Sequence, residues 1–503
     1  MQTIAAIDVG SNAIRLLIGK VDENGQSESL ESLRVSVRLG KDTFQNGIIS
    51  EASMQETVNA FVSFQKVIRD YGVSHFRAVS TSAMREAVNQ DILADRILQA
   101  TGIQVDVISG EEEARLIHLA VSKALDLHKD IALLIDIGGG SMEATLSVNG
   151  NILFVESYKI GAVRLLTQLN QPDIPGGSVE DLVREVVESP RRRLRQILQT
   201  PKVTLLVGTG GNVEELAELA HKLFKRRTNQ VVSLKDLSLL IERLEATSYE
   251  DRIQQLGLRP DRADVILPAA ILLKAVADEA HQHEIIIPRV GLKEGVLWDL
   301  AEEIIQGTHV SRREQVWVSI QRLGNKYGMD DGHARHVADL AGRIFDQTHQ
   351  LHNLEPEHRL LLEAAAYLHD VGHFISTIDH DKHGYYILTA NPLIGLTDAQ
   401  QAIVANMVRF HRRQPPSIEE PGFRILPQKD RLVVIKLLSI LRIADGLDTN
   451  RSGRVKEISM KSEKAAWELH ISGEGDLLLE KWTADKRKNL FCELFGVTLE
   501  IKD

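Results

Sequence analysis

IALLIDIGGGSMEATLSV, residues 131–148, reads as one structural sentence. Ile131 to Ile135 is a short buried strand, Asp136-Ile137-Gly138-Gly139-Gly140-Ser141 is a loop, and Ala144 to Val148 is an outgoing strand that ends on an Asn149-Gly150 turn. An aspartate that ends a buried strand and is followed by small residues sets a carboxylate beside exposed backbone N–H groups. Those groups can cradle phosphate oxygens while the acid engages a metal. Three consecutive glycines allow a ligand to approach the backbone closely, and Glu143 stands two residues past Ser141 on the outgoing strand.

The same sentence occurs once earlier. Thr3 to Val9 runs into Asp8-Val9-Gly10-Ser11-Asn12, followed by Ala13 to Val21 and an Asn24-Gly25 turn. Two such loops, one in each of two duplicated domains, would form a clamp. Between them lie helical stretches, Ser53 to Tyr71 and Asp91 to Thr101, each followed by a strand, Phe76 to Val79 and Val105 to Ile108. That alternation predicts a layered α/β sheet. A third glycine-rich loop, Gly208-Thr209-Gly210-Gly211-Asn212, follows the strand Val203 to Val207 and precedes a helix from about Val213. Its N–H groups suit another anion, although such turns also occur in α/β proteins that bind no phosphate.

From about Ser311 the periodicity turns helical, through His333 to His349, Arg359 to His369 and Asp398 to Phe410. After Asn450 strand alternation returns in Val455 to Met460 and Ala465 to Ile471, with Phe491 to Ile501 as a further strand. The expected domains are therefore 1–125, 126–305, 311–450 and 451–503, which suits a chain too long for one core.

A single cysteine, Cys492, excludes an intramolecular disulfide framework and a cysteine-rich zinc site. The apolar run Val265 to Leu273 stops at Lys274, short of a membrane span. The start of the chain has neither the basic segment nor the cleavage site of a signal peptide, so a cytoplasmic location is expected. A net charge of −11 argues against a general nucleic-acid binder and requires any polyanion to meet local basic patches. Two such groups exist, Arg191, Arg192, Arg193 and Arg195 on one helix and Lys222, Lys225, Arg226 and Arg227 after the third glycine loop; solvated helix faces are the competing reading.

Four segments together closely resemble the exopolyphosphatase/guanosine pentaphosphate phosphatase family. They are Asp8-Val9-Gly10-Ser11-Asn12, Ser80 to Arg85, Ser109-Gly110-Glu111-Glu112-Glu113-Ala114-Arg115 and Asp136 to Glu143. The resemblance covers essentially the whole chain. It implies an α/β fold of duplicated actin/hexokinase/heat-shock-protein-70-like (ribonuclease H-like) domains with a cleft between them, then an all-α HD-like domain and a small α/β domain. It also implies that Glu113 is the catalytic carboxylate, which suits the chemistry. An anhydride phosphorus is shielded by anionic oxygens, so hydrolysis needs a base to orient and deprotonate water, with a cation and backbone donors to absorb charge. The competing reading has Ser109 and Glu112 forming a capping box, with the neighbouring acids complementing the helix dipole.

By the same resemblance Asp136 and Glu143 bind or position Mg2+ and the lytic water, with Asp8 opposite. Gly139, Gly140 and Ser141 hold phosphate oxygens by that resemblance, and Arg85 clamps nonbridging oxygens; the loops themselves add Ser11, Asn12, Gly138, Gly208, Thr209, Gly210 and Gly211 as candidate phosphate-binding residues. Where the family has Gly-Leu-Arg-Glu-Gly this chain has Gly291-Leu292-Lys293-Glu294-Gly295, which removes a bidentate donor. In the helical region His369-Asp370, with His333 upstream and Asp445 downstream, follows the order of an HD-type metal-dependent phosphohydrolase. His383 and His411 would complete a six-ligand set for Mn2+, Fe2+ or Mg2+. Histidines that merely pack and hydrogen-bond within helices are the alternative.

Three functions follow from these expectations. The first is phosphate release at Glu113 from inorganic polyphosphate or pppGpp, the latter a stringent-response nucleotide, by a homodimer. The second is an HD phosphohydrolase whose N-terminal cleft senses nucleotide. The third is a noncatalytic binder of either polyanion.

Overall fold

Strand Gln2–Val9 (β1) is apolar on both faces. Ala5, Ile7 and Val9 enter one core, while Ile4 and Ala6 enter another, which marks it as a central strand covered on each side. The computed structural model describes residues 2–22, 27–169, 179–199, 202–306, 310–412, 415–463 and 466–502. With Ile14–Val21 (β2), Ser27–Val35 (β3), His75–Ser80 (β4) and Val105–Val107 (β5), β1 forms a sheet of order β3-β2-β1-β4-β5. The Asn24-Gly25 turn expected between β2 and β3 lies outside the described residues.

The second sheet comprises Ile131–Ile137 (β6), Met142–Val148 (β7), Asn151–Tyr158 (β8), Leu205–Thr209 (β9), Val231–Ser233 (β10) and Glu284–Ile286 (β11). Its order is β10-β11-β9-β6-β7-β8. Read from its far edge, β8-β7-β6-β9-β11 repeats β3-β2-β1-β4-β5, with antiparallel neighbours on one side of the central strand and parallel ones on the other. This is the duplicated actin-like arrangement. The predicted Asn149-Gly150 turn joins β7 to β8, and both residues take the positive φ, 51° and 81°, that a tight hairpin requires.

Helices Glu51–Asp70 and Gln90–Thr101 cover the first sheet through Phe61, Phe64, Leu93 and Ile97. A separate core joins the halves. In it Ile4, Leu17 and Val79 from the first sheet and Ala132, Leu134 and Val207 from the second pack with Leu116 and Val121 of helix Gly110–Ala124. Val296, Leu297 and Leu300 of helix Leu292–Gln306 complete it.

Residues 311–503 form a second compact unit. Helices Asp331–Gln347, Glu357–Leu368, His380–Ala390, Asp398–Phe410 and Gln428–Gly446 build it, together with a sheet of order β12-β13-β14 from Val455–Glu463, Ala466–Gly473 and Thr498–Lys502. Val455, Trp467, Leu469 and Leu499 of that sheet lie in the same core as Leu362, Val404 and Leu437 of the helices. The strand expected over Phe491 to Ile501 is a helix, Asn489–Phe495, followed by β14. Gly496 separates them because its φ of 64° takes the left-handed step that ends a helix. No helix among the described residues is long and apolar enough to cross a membrane.

Candidate functional site

Each half of the first unit presents the same turn. Gly10 N–H donates to Ala13 O at 3.1 Å, and Gly138 N–H donates to Ser141 O at 3.0 Å. Asp8 is therefore register partner to Arg15, as Asp136 is to Glu143. Equivalent positions carry opposite charge. Asp8 and Arg15 form an ion pair at 2.7 Å, whereas Asp136 and Glu143 are two acids with no basic residue between them.

Glu113 joins the acidic side. Ser109 caps its helix by accepting from Glu112 N–H at 3.2 Å, but the Glu112 carboxylate turns to Arg115, at 2.7 and 2.9 Å, so the expected capping box is only half made. Arg115 also reaches Asp299 at 2.8 Å, a buried brace that fixes the first turn and aims Glu113 the other way, into the cleft. Glu113, Asp136 and Glu143 are all buried, with carboxylate oxygens within 4.8 Å of one another. Thr209 Oγ1 donates to Asp136 at 2.6 Å and Ser157 Oγ to Glu143 at 2.7 Å. Oε2 of Glu113 and Oε2 of Glu143 are buried without hydrogen-bond partners.

The electrostatics follow from that burial. Burial first, and then the neighbouring Glu143 charge, push the Glu113 carboxyl well above its ordinary range, while Arg85, 3.7 Å away, pulls it down. Burial raises Asp136 to about 6 against the pull of the Thr209 bond and Arg15. Burial and Asp136 together raise Glu143 to about 7. Carboxylates brought together without matching cations are costly unless a cation joins them. This all-oxygen set, with two unpartnered buried oxygens, fits a hard divalent metal ion.

The glycines supply proximity. A Cβ on Gly139 would lie 2.9 Å from Ser11 Cβ, one on Gly140 would lie 2.2 Å from Phe44 Cζ, and one on Gly161 would lie 2.4 Å from the Gly139 carbonyl. The two acidic turns can therefore meet only as glycine. Ser11 Oγ lies 3.0 Å from Ser82 Oγ, and Asn12 Nδ2 donates to Asp261 O at 2.9 Å. The cleft between the halves is a cavity of about 610 Å3 lined by Asp8, Ser11, Asn12, Glu113, Asp136, Gly138, Gly139, Ser141, Gly210 and Gly211.

Several expected phosphate contacts sit elsewhere. The strand before the third loop begins at Leu205 and continues through Thr209, and its helix starts at Gly211, because Gly210, at φ 98°, is the first residue to leave the sheet. A Cβ on Gly208 would meet Ile285 and Val213 in the core at 2.9 Å, and the Thr209 hydroxyl is committed to Asp136. Neither faces the cavity. Gly140 is packed against Phe44 and Ser82, and its carbonyl accepts from Arg164 Nε at 2.8 Å. Arg85 is held by the Ile108 carbonyl beside Glu113. Of the basic groups, Arg191 and Arg195 serve Glu279, Arg193 serves Glu156, Lys222 serves Glu218 and Arg226 serves Asp236.

Sequence reasoning missed Arg15 and Arg262. Arg15 stands where the second copy has Glu143, so aligning the copies residue by residue would have found it. Arg262, 5% exposed and bonded to Asn212 Oδ1 at 2.6 Å, lies in the short helix Pro260–Ala263, which carries no motif.

In the second unit the structure gathers His333, His369, Asp370, His411 and Asp445, as expected. It does not bring His383 to them. His380, three residues earlier, takes that place, with Nε2 3.3 Å from His411 Nε2, and His373 joins from the other side at 3.3 Å from Asp370 Oδ1. The sequence register was wrong by three residues because the helix starts at His380, which aims that residue inward.

Comparison with known proteins agrees with this architecture. Residues 18–304 match the Ppx/GppA phosphatase family, and residues 317–484 match Ppx/GppA phosphatase, domain III. A guanosine-5'-triphosphate,3'-diphosphate pyrophosphatase of Aliivibrio fischeri is 27% identical over 97% of this chain and 97% of its own length. One from Photobacterium profundum is 28% identical over 83% of this chain and 82% of its own. Among solved structures, an exopolyphosphatase from Cytophaga hutchinsonii is 29% identical with a TM-score of 0.56, covering 61% of this chain and 99% of its own. The Aquifex aeolicus Ppx/GppA family member is 26% identical with a TM-score of 0.51, over 61% of this chain and 99% of its own. A duplicated actin-like core whose acidic turns face one another across a cleft, with both family regions matched in order, makes this chain a hydrolase of the Ppx/GppA phosphatase family.

Proposed function

We propose that this chain removes the terminal phosphate of a phosphoanhydride, in inorganic polyphosphate or pppGpp, with Glu113 as general base in the cleft of its first unit. The observation that carries the reading is the convergence of Glu113, Asp136 and Glu143, with Oε2 of Glu113 buried and free of hydrogen bonds. A base whose proton affinity is raised by burial and neighbouring acids accepts a proton from water more readily than an exposed carboxylate does. Arg85, at 3.7 Å, compensates the charge that Glu113 regains on releasing that proton. Backbone N–H groups of the Gly10-Ser11 and Gly138-Gly139 turns would receive the nonbridging oxygens. Mg2+ held by Asp136 and Glu143, with Asp8 facing them, would neutralise phosphate charge and acidify the attacking water.

The names of the relatives favour both substrates, pppGpp from the sequence relatives and polyphosphate from the Cytophaga structure. Arg15, Arg262, Arg289 and Lys293 line the cavity, so the reading places substrate contacts in the cleft itself. It includes the four-domain division at 125, 305 and 450 and a cytoplasmic homodimer.

The test is phosphate release from long-chain polyphosphate and from pppGpp by the wild type, Glu113→Gln and His369→Ala. Loss of the base should lower kcat by about 10²- to 10⁴-fold on whichever substrate is used. Full turnover in Glu113→Gln, with loss in His369→Ala, would transfer the chemistry to the second unit. Binding of either polyanion with no phosphate release by the wild type would make the protein a sensor.

A further inference from the structure

Four charges close a ring behind Glu113. Arg115 grips Glu112 through Nε and Nη2 at 2.7 and 2.9 Å, and the same Nη2 reaches Asp299 Oδ1 at 2.8 Å. Arg77 Nη1 donates to the other Asp299 oxygen at 2.8 Å, and Arg77 Nη2 returns to within 3.9 Å of Glu112 Oε1. The side chains of Glu112, Arg115 and Asp299 are 3%, 4% and 1% exposed. Arg77 lies on β4, Glu112 and Arg115 on helix Gly110–Ala124, and Asp299 on helix Leu292–Gln306. None of the four lines the cleft cavity.

Such a ring is a poor way to gain stability alone. Stripping water from buried charges costs about as much as their attraction returns, so well-packed apolar side chains would join these elements as firmly. What apolar side chains lack is direction. A guanidinium fork with a carboxylate on each side fixes how its helix is turned about its own axis. Glu113 leaves that helix about 100° around from Glu112, and side-chain tips ride roughly 5–6 Å from the axis. A rotation of ~10° would therefore carry the Glu113 carboxylate by about 1 Å, and a misplacement of that size costs a reaction roughly 10²-fold. The two helices already touch elsewhere: a Cβ on Gly295 would lie 2.0 Å from the Leu116 carbonyl oxygen, and Lys123 pairs with Glu302 at 3.4 Å. Those contacts set the spacing of the helices, whereas the ring acts on the turn that carries Glu113.

We propose that Asp299 is a positioning residue for phosphate release. Acting through Arg115, it holds the first turn of helix Gly110–Ala124 at the rotation that delivers the Glu113 carboxylate to the attacking water. This role rests on Glu113 being the base.

The test compares two charge-matched variants of the full chain, Arg77→Met with Asp299→Asn and Arg77→Met with Asp299→Ala. Each removes one charge of either sign from the ring, and only the first keeps an oxygen for Arg115 Nη2. In phosphate release from polyphosphate and pppGpp, the alanine variant should lose about 10- to 10²-fold in kcat with KM within about twofold, while the asparagine variant stays within about threefold of wild-type kcat. Arg115→Lys, which keeps its charge but cannot grip both acids, should lose kcat as the alanine variant does. In a Glu113→Gln background the alanine and asparagine variants should share one residual rate. Leu300→Ala opens the core beneath the same helix and leaves the ring intact, so it gives the effect of destabilisation alone. Equal kcat in the two charge-matched variants, a loss no larger than that of Leu300→Ala, or a loss that persists in the Glu113→Gln background would overturn the proposal. Full turnover in Glu113→Gln itself would instead remove the base, and this role with it.

Discussion

Glu143→Gln should stabilise the metal-free protein, and only on the alkaline side. Glu143 is 1% exposed, and burial with the neighbouring Asp136 charge moves its carboxyl from the ordinary 4.5 to about 7. The folded state therefore keeps a proton that the unfolded chain gives up between those values, so wild-type stability falls as pH rises through that window. At about 1.4 kcal/mol per pH unit, ionising Glu143 costs the fold roughly 3 kcal/mol by pH 8. Glutamine has no proton to lose and retains an oxygen for the Ser157 hydroxyl, which donates to Glu143 at 2.7 Å. Urea unfolding in chelator should show the two proteins alike at pH 4 and the variant ahead by up to roughly 3 kcal/mol at pH 8. Glu113 and Asp136 titrate against Glu143 in the wild type alone, so the alkaline gain belongs to the acidic cluster as a whole, while groups outside it are common to both and cancel. Adding Mg2+ at a hundred times its dissociation constant should return about 2.7 kcal/mol to the wild type alone. A variant less stable than wild type at pH 8 in chelator, or a difference that ignores pH, would refute the claim that uncompensated acid in the cleft is what a metal ion relieves.

Thr209→Val removes the 2.6 Å bond that holds the Asp136 carboxyl down, so the acid limb of the pH–rate profile should move to higher pH by about half a unit or more. Gly161→Ala would set a methyl 2.4 Å from the Gly139 carbonyl carbon and oxygen; thermal melting should show a loss of roughly 2 kcal/mol or more together with impaired phosphate release. Arg85→Lys keeps the charge but loses the fork that reaches both the Ile108 carbonyl and Glu113, so kcat should fall at least about tenfold with KM little changed.

The duplicated turns were legible because an aspartate, then small residues, then a strand must recur wherever two sheets present the same corner. The glycines at 138–140 and the carboxylates Asp136 and Glu143 fell where their spacing put them. Long-range partners were not legible. Nothing near Gly211 says that Arg262 lies over it, with Nη2 2.1 Å from where a Cβ would stand. Thr209 reads as a phosphate donor in a glycine-rich loop, yet β-sheet pairing with Asp136 consumes its hydroxyl. In the second unit, His380 and His383 differ by less than one helical turn, and only the point where the helix begins decides which of them turns inward.

Helix Leu292–Gln306 belongs by chain order to the second half but packs on β1, β2 and helix Gly110–Ala124 of the first, with Gly295 so close to Leu116 that a methyl there would overlap its carbonyl at 2.0 Å. The polypeptide thus crosses from one lobe to the other twice, before β6 and after β11. A pincer with a doubled pivot can rock about the line joining its pins but resists twisting, which keeps both jaws in register as they part. It follows that residues 1–125 expressed alone would expose Leu17, Val79 and Leu116, whose core is completed by Ala132, Leu134 and Val207 and, last in the chain, by Val296, Leu297 and Leu300.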